Sequence, residues 1–191
     1  MRDWPFEPLG MFSADVIVAD PPWLVEMYSE KGEGKAPQAH YSCMPLPAIK
    51  ALPVGHLAGG DCWLFLWTSA PLLDAAIDVM RAWSFSYVSR AAWRKTTVNG
   101  KVRLGPGYIV RTMHEDVLIG RIGNPRRSKP IPSLFDGLAR EHSRKPDEFY
   151  DLVERFAPLA RRVDLFSRQN RPGWQAWGNE AGKFDEEGED A

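Results

Sequence analysis

Asp15-Val16-Ile17-Val18-Ala19-Asp20-Pro21-Pro22-Trp23 is the stretch that decides the fold. Val16 to Ala19 is a short apolar, largely β-branched run, and two prolines stop it, because proline has no N–H for a sheet ladder and its ring fixes φ. A buried strand that ends in a stiff loop is predicted, with Asp20 at the strand's carboxyl end. Ligands of open α/β sheets collect outside such ends. Asp20 is therefore a candidate functional residue before its chemistry is considered.

Working outward, Cys62-Trp63-Leu64-Phe65-Leu66-Trp67 reads as a second apolar strand. Pro71 to Trp83 then places Leu72, Leu73, Ala76, Ile77, Met80 and Trp83 on one helical stripe. Ser86 to Trp93 and Asp116 to Ile122 read as further strands, and the basic, Gly-containing stretch from Arg94 to Tyr108 as a substrate-facing loop between them. Residues 24 to 40 lack periodicity and read as a mobile loop beside the first strand's end. Pro146 to Ala157 sets Phe149, Leu152, Val153 and Phe156 on one face, with Asp147 and Glu148 suited to the positive end of a helix. Arg162 to Phe166 follows as a strand. This alternation predicts an α/β sheet with helices on both faces. Arg168 then falls at a strand end as Asp20 does, and the two are expected to meet across one cleft.

At 191 residues the chain suits a single domain, expected over 1–180, followed by a disordered acidic tail over 181–191. Apolar residues at 44% and charged residues at 26% exclude a disordered or fibrous class. Cys43 and Cys62 stand in unrelated settings without paired Cys/His spacing, so no metal is expected. The start lacks a signal-peptide pattern, and no stretch approaches the ~20 apolar residues of a membrane span. A cytoplasmic location without membrane contact is the expectation.

The formal net charge of -1 hides an asymmetry. From Arg90 to Lys145 there are 13 Lys and Arg against four Asp and Glu, whereas Glu180 to Ala191 holds six acids and one Lys. A basic middle suits a phosphate-binding face, although scattered solvated charge would give the same composition.

Asp20-Pro21-Pro22-Trp23 offers specific chemistry. An amino group on an aromatic base is a poor nucleophile because its lone pair is delocalised into the ring. Two acceptors on its two N–H bonds favour a pyramidal nitrogen and return the lone pair to it. The Asp20 carboxylate can be one acceptor, and the carbonyl of Pro21 or Pro22 the other, aimed by the rigid prolines. Trp23 offers a flat face for base stacking, worth ~1–3 kcal/mol. The bland alternative is a turn that ends a strand and tucks an indole into the core.

With these residues in view, the sequence resembles the MT-A70 family of N6-adenine methyltransferases. The resemblance runs from Asp15 to Glu180. It is carried by the tetrapeptide and by several blocks in order: Cys62 to Trp67, Ala92-Trp93-Arg94-Lys95-Thr96, His114 to Gly120, His142-Ser143-Arg144-Lys145-Pro146-Asp147-Glu148, Leu165-Phe166-Ser167-Arg168 and Trp177-Gly178-Asn179-Glu180. It implies a Rossmann-like methyltransferase sheet in which the catalytic motif precedes the cofactor-binding half, with S-adenosyl-L-methionine as cofactor and no metal. It implies that Asp20, Pro21, Pro22 and Trp23 are catalytic, that Lys145 holds the cofactor's carboxylate and that Asp20 also faces its amino group. Arg168 and Asn170 would bind ribose hydroxyls, and Asn179 with Glu180 would close around the ribose and adenine. Tyr41 and Glu115 match residues around the acceptor adenosine. With DNA as the acceptor, the basic residues Arg94, Lys95, Lys101, Arg103, Arg126, Arg127 and Lys129 would contact its phosphates.

Two departures stand out: Gln169 where eukaryotic relatives have a Pro-His-like connection, and Glu180 where many relatives have Gln. The chain has no room for a large target-recognition domain, so sequence choice would come from short loops, a homodimer or a second subunit. DNA is the expected acceptor. RNA adenine, cytosine N4 and a catalytically silent nucleic-acid-binding partner subunit stay open as alternatives.

Overall fold

The computed structural model describes residues 4–24, 43–105, 109–141 and 143–185. Tyr41, His142, the tail from 186 onward and nearly all of the stretch expected as a loop over 24–40 lie outside them.

The described residues form seven strands and three α-helices. They are β1 (Ala14–Ala19), α1 (Leu46–Ala51), β2 (Ala58–Thr68), α2 (Leu73–Ala82), β3 (Ser86–Thr96), β4 (His114–Ile122), β5 (Leu134–Leu138), α3 (Asp147–Phe156), β6 (Arg162–Leu165) and β7 (Trp174–Trp177). The strands form one sheet in the order β5-β3-β4-β2-β1-β6-β7. β1 pairs in parallel with β2 and β6, β6 with β7, and β3 with β5. β4 is antiparallel to both its neighbours, β2 and β3. Six strands therefore end on one edge of the sheet, and β4 begins there.

Both faces of the sheet are covered, so the inner runs of β1 and β2, Val16 to Ala19 and Cys62 to Trp67, are buried and apolar throughout instead of alternating with polar residues. Ile17 and Ala19 of β1 and Leu64 and Leu66 of β2 pack with Ile49 of α1 and with Ala76, Val79 and Met80 of α2. Val16, Val18, Trp63, Phe65 and Trp67 face the other way, onto Phe149, Tyr150, Val153 and Phe156 of α3. Rings meet edge-on there, as Trp67 and Phe149 do at 4.7 Å. Emptying such a site, as in Phe149→Ala, costs about 3–5 kcal/mol. The expected α/β sheet with helices on both faces is the observed one, and no helix among the described residues is long and apolar enough to cross a membrane.

Several boundaries differ from expectation. β3 runs on to Thr96, so Arg94 and Lys95 lie on a strand rather than in a loop; their side chains are held by neighbouring acids, which suits an extended backbone. β2 begins four residues before Cys62, and the helix expected over 71–83 opens with a 3-10 turn, Ala70–Leu72. α1, β5 and β7 had no sequence signal: α1 has 6 residues, β5 carries Asp136 and Gly137, and β7 has 4 residues. Of the expected tail, Ala181 to Asp185 forms turns that return to the loop after β6.

Candidate active site

Because six strands end on one edge, that edge gathers residues far apart in the chain. Asp20 follows β1, and its N–H donates to the Leu165 carbonyl at the end of β6 (3.3 Å). The two prolines are then pinned. Pro21 O accepts the Trp23 N–H (2.8 Å), Pro22 O accepts the Met44 N–H (2.8 Å), and Leu24 N–H donates to Met44 O (3.3 Å). Each prolyl carbonyl thus accepts one bond and keeps a second lone pair. Trp23 is half-buried against the core, and its Nε1–H donates to Trp67 O at 3.3 Å. The indole is fixed against the core, while Asp20 and Pro22 line the cleft, so the tetrapeptide is both a packed turn and a cleft edge.

Lys145 enters from the segment between β5 and α3. Gly137 permits this: a Cβ there would lie 2.6 Å from the Pro146 side chain and 2.7 Å from Trp93 Nε1. The Lys145 ammonium, on a side chain only 10% exposed, lies 3.1 Å from Asp20 Oδ2 and 2.8 Å from Glu115 Oε2. It also sits over the Trp67 ring, 4.9 Å from its centroid. Glu115 in turn binds Lys95. The result is a chain of alternating charge, Lys95, Glu115, Lys145, Asp20, leading from the β3–β4 edge to the end of β1. Burial pushes the Asp20 carboxyl above its ordinary value, against the pull of Lys145, and the Glu115 charge adds to the rise. Burial would raise Glu115 too, but two lysines, Lys145 and Lys95, hold it down at about 2. Burial disfavours the Lys145 charge, yet the two carboxylates raise its pKa above the ordinary lysine value.

The far side of the cleft is built by the loops after β6 and β7. Phe166 leaves β6 at φ 61° and Ser143 sits at φ 64° beside Lys145, left-handed conformations that side chains rarely adopt. Such strain persists where the surroundings impose it and clusters at functional sites. Gly178 lies so close to the β6 loop that a Cβ would meet Ser167 O at 2.8 Å. That contact brings Glu180 onto Arg168, with 2.7 Å between Oε2 and the guanidinium.

Between the two sides lies a cavity of about 340 Å3, lined by Asp20, Pro22, Cys43, Met44, Ser143, Phe166, Arg168, Trp177, Asn179 and Glu180. A water-sized pocket of about 30 Å3 adjoins it and adds Arg144, Lys145, Asp164, Arg171 and Phe184. Asp20 and Arg168 meet as expected, and Asn179 and Glu180 join them. Asn170 lines neither cavity: its backbone N–H and Nδ2 both donate to Asp185, at 2.7 and 2.8 Å. Tyr41 lies outside the described residues.

The basic residues separate. Arg94 is held by both oxygens of Asp136 (2.5 and 2.6 Å), an exposed pair. Arg126, Arg127 and Lys129 sit at the opposite edge from Asp20, where Trp63 Nε1–H donates to Arg126 O and Ser128 N–H to Phe156 O (3.1 and 2.7 Å). They are thus removed from the cleft that they were expected to serve. Lys101, Arg103 and Arg111, in the β3–β4 connection, stay on the cleft edge.

Several lining residues escaped sequence reasoning. Asp164, in the middle of β6, is 4% exposed and accepts from Tyr150 Oη (3.0 Å) and Ser167 Oγ (2.9 Å). Burial raises it to about 7, against the two hydroxyls and Arg171. An acid inside the apolar run Val163-Asp164-Leu165 was the available signal. Cys43 and Met44 gave none. Among the described residues, no three His, Cys, Asp or Glu side chains group as a metal site.

Comparison with known proteins follows this geometry. Residues 14–180 match the MT-A70 family profile. The chain is 29% identical over 194 residues to a type II methyltransferase, M.MunI, of Mycoplasma sp, covering 92% of this chain and 81% of that protein. It is 30% identical over 185 residues to a probable N(6)-adenosine-methyltransferase MT-A70-like protein of Oryza sativa, covering 94% of this chain and 24% of the relative. To the human N(6)-adenosine-methyltransferase catalytic subunit METTL3 it is 28% identical over 178 residues, 90% of this chain and 28% of that one. The chain thus spans about a quarter of the plant and human relatives and most of the Mycoplasma one. With a match that begins at β1 and runs through the Glu180 that closes the cavity, the chain belongs to the MT-A70 family.

Proposed function

We propose that this chain transfers a methyl group from S-adenosylmethionine to the exocyclic N6 of adenine in DNA, with Asp20-Pro21-Pro22-Trp23 as the catalytic edge. The single observation that carries this is the Asp20–Lys145 pair, 3.1 Å apart between the 340 Å3 cavity and its smaller neighbour. An amino-acid zwitterion is complementary to such a pair, its carboxylate meeting Lys145 and its ammonium meeting Asp20. Glu180 and Asn179 across the cavity offer acceptors for ribose hydroxyls, and Arg168 offers donors. The donor set therefore fits an adenosylated amino acid.

S-adenosylmethionine supplies an electrophilic methyl on a sulfonium, already joined to a good leaving group. The chain's own residues orient the acceptor. Asp20 takes one N–H of the adenine amino group, and the spare lone pair of Pro21 O or Pro22 O takes the other, which holds the nitrogen lone pair toward the methyl. The proton released on methylation passes to Asp20 or to water. Glu115, kept ionised by Lys95 and Lys145, faces the same end of the site. A duplex would present its base by flipping, and Lys101, Arg103 and Arg111 would meet the phosphates, which makes binding steeply salt-dependent.

DNA is inferred from the relative of which this chain covers 81%, a type II methyltransferase. A second reading, RNA as acceptor, draws on relatives whose names specify adenosine, the ribonucleoside. One experiment separates them: the purified chain is incubated with methyl-labelled cofactor and unmodified DNA or RNA, and nucleosides are analysed by mass spectrometry. Label in N6-methyldeoxyadenosine is expected. Label in N6-methyladenosine alone would favour RNA, label in N4-methyldeoxycytidine would move the acceptor to cytosine in DNA, and none in any would refute transfer.

A further inference from the structure

The turn after β7 does more than carry Glu180 to the cavity. Phe184 is half-buried, and two guanidiniums lie over its ring, Arg144 at 5.2 Å and Arg168 at 5.0 Å from the centroid. Its N–H also donates to the Arg168 carbonyl at 3.0 Å. One residue on, the Asp185 carboxylate takes both Asn170 donors. The turn is braced internally by N–H bonds from Lys183 to Glu180 O and from Asp185 to Gly182 O (3.0 and 3.1 Å), with Gly182 at φ 88°. Arg144 is steadied in turn by Gln169 Oε1, 3.2 Å away.

A guanidinium at a cavity edge loses rotamer freedom when it grips a ligand, and holding it beforehand lowers that cost. An aromatic face attracts the cation without consuming its N–H donors, as a second carboxylate would. Phe184 can therefore steady Arg168, a lining residue of both cavities, from the ring side while Glu180 holds the guanidinium edge. Asn170, turned to Asp185, serves the same end by tying the turn to the β6 loop.

We infer that Phe184 is a positioning residue for cofactor binding: its ring orients Arg168, Asp185 latches the turn through Asn170, and together they set the affinity for the nucleoside part of the cofactor rather than the rate of transfer. This rests on the cofactor assignment proposed above. The test uses the full chain with Phe184→Leu, Phe184→Tyr and Asp185→Ala, titrated calorimetrically with S-adenosylhomocysteine and assayed for KM and kcat, with thermal melting to check folding. Phe184→Leu keeps bulk but loses the π face, and is expected to raise Kd and the cofactor KM roughly fivefold to tenfold with kcat at saturation unchanged. Phe184→Tyr should restore affinity to within about twofold, and Asp185→Ala should weaken binding about threefold. Wild-type affinity in Phe184→Leu would overturn the inference. So would equal losses in the Leu and Tyr variants, a fall in kcat at constant KM, or tighter binding in Asp185→Ala, which would make the carboxylate a competitor. If wild type itself shows no saturable binding, the cofactor assignment fails and takes this inference with it.

Discussion

The β1 side of the cleft and the β6–β7 side meet at Asp20 and Arg168, but opposite means hold them. On the β1 side, Lys95, Glu115, Lys145 and Asp20 alternate in charge, and the central lysine is nearly buried. Each member compensates its neighbours, so removing one strands a charge in a poorly solvated place. The β6–β7 side relies on a strained Phe166, on Glu180 against Arg168 and on a half-exposed turn. Contacts of that kind are individually weak and separable. The first side is suited to holding fixed charge where a reaction needs it, and the second to closing on a ligand.

Breaking the β1 side should therefore give the largest effect. Lys145→Met leaves the Asp20 carboxylate without its cation and Glu115 with Lys95 alone, and denaturant unfolding at pH 7 is expected to show a loss of about 3–5 kcal/mol. Because the penalty is chiefly that of the uncompensated Asp20 carboxylate, it should shrink as the pH falls and Asp20 takes up a proton. A loss under about 1 kcal/mol would mean that solvent screens the chain of charges and that the two sides do not differ in kind.

A smaller effect is expected at Asp164, which lies beneath both sides. Its folded value of about 7 exceeds the ordinary 3.8. The folded protein therefore holds this proton more tightly than the unfolded chain, and stability falls as pH rises from about 4 to about 7. Asp164→Asn removes that slope. Unfolding at pH 5 and pH 8 should show the gap between wild type and variant shifting by about 1–3 kcal/mol in the variant's favour at the higher pH. Parallel pH profiles would contradict the raised value. The fivefold to tenfold affinity change expected for Phe184→Leu is the smallest of the three, and sharpens the contrast because it leaves the β1 side intact.

What the sequence made legible follows from this construction. β1, β6 and α3 could be read because burial on both sheet faces, or on one helix face, writes a continuous or 3.6-residue apolar pattern. Asp20 and Arg168 could be paired because both follow such strands. β5 and β7 could not: four or five residues carrying Asp136, Gly137 or Gln175 are too short and too polar to show a period, and pairing with a neighbour made them strands. Arg94 and Lys95 looked like loop residues because their charges suggest solvent, whereas Asp136 and Glu115 supply partners that no local pattern reveals. The basic segment was one block in sequence but two places in space, since β4 carries the chain from the cleft edge to the opposite one. Asn170 was assigned by resemblance to the ribose, and here it reaches Asp185, a residue after the end of the family match.

If Asp20 stands where an amino nitrogen is methylated, replacing it abolishes the mark. DNA from cells expressing wild type or Asp20→Ala is read by single-molecule sequencing for modified adenine. Methylated adenine in wild-type DNA and none with Asp20→Ala, at equal levels of folded protein, is the predicted result. The same methylation with both proteins would contradict the account.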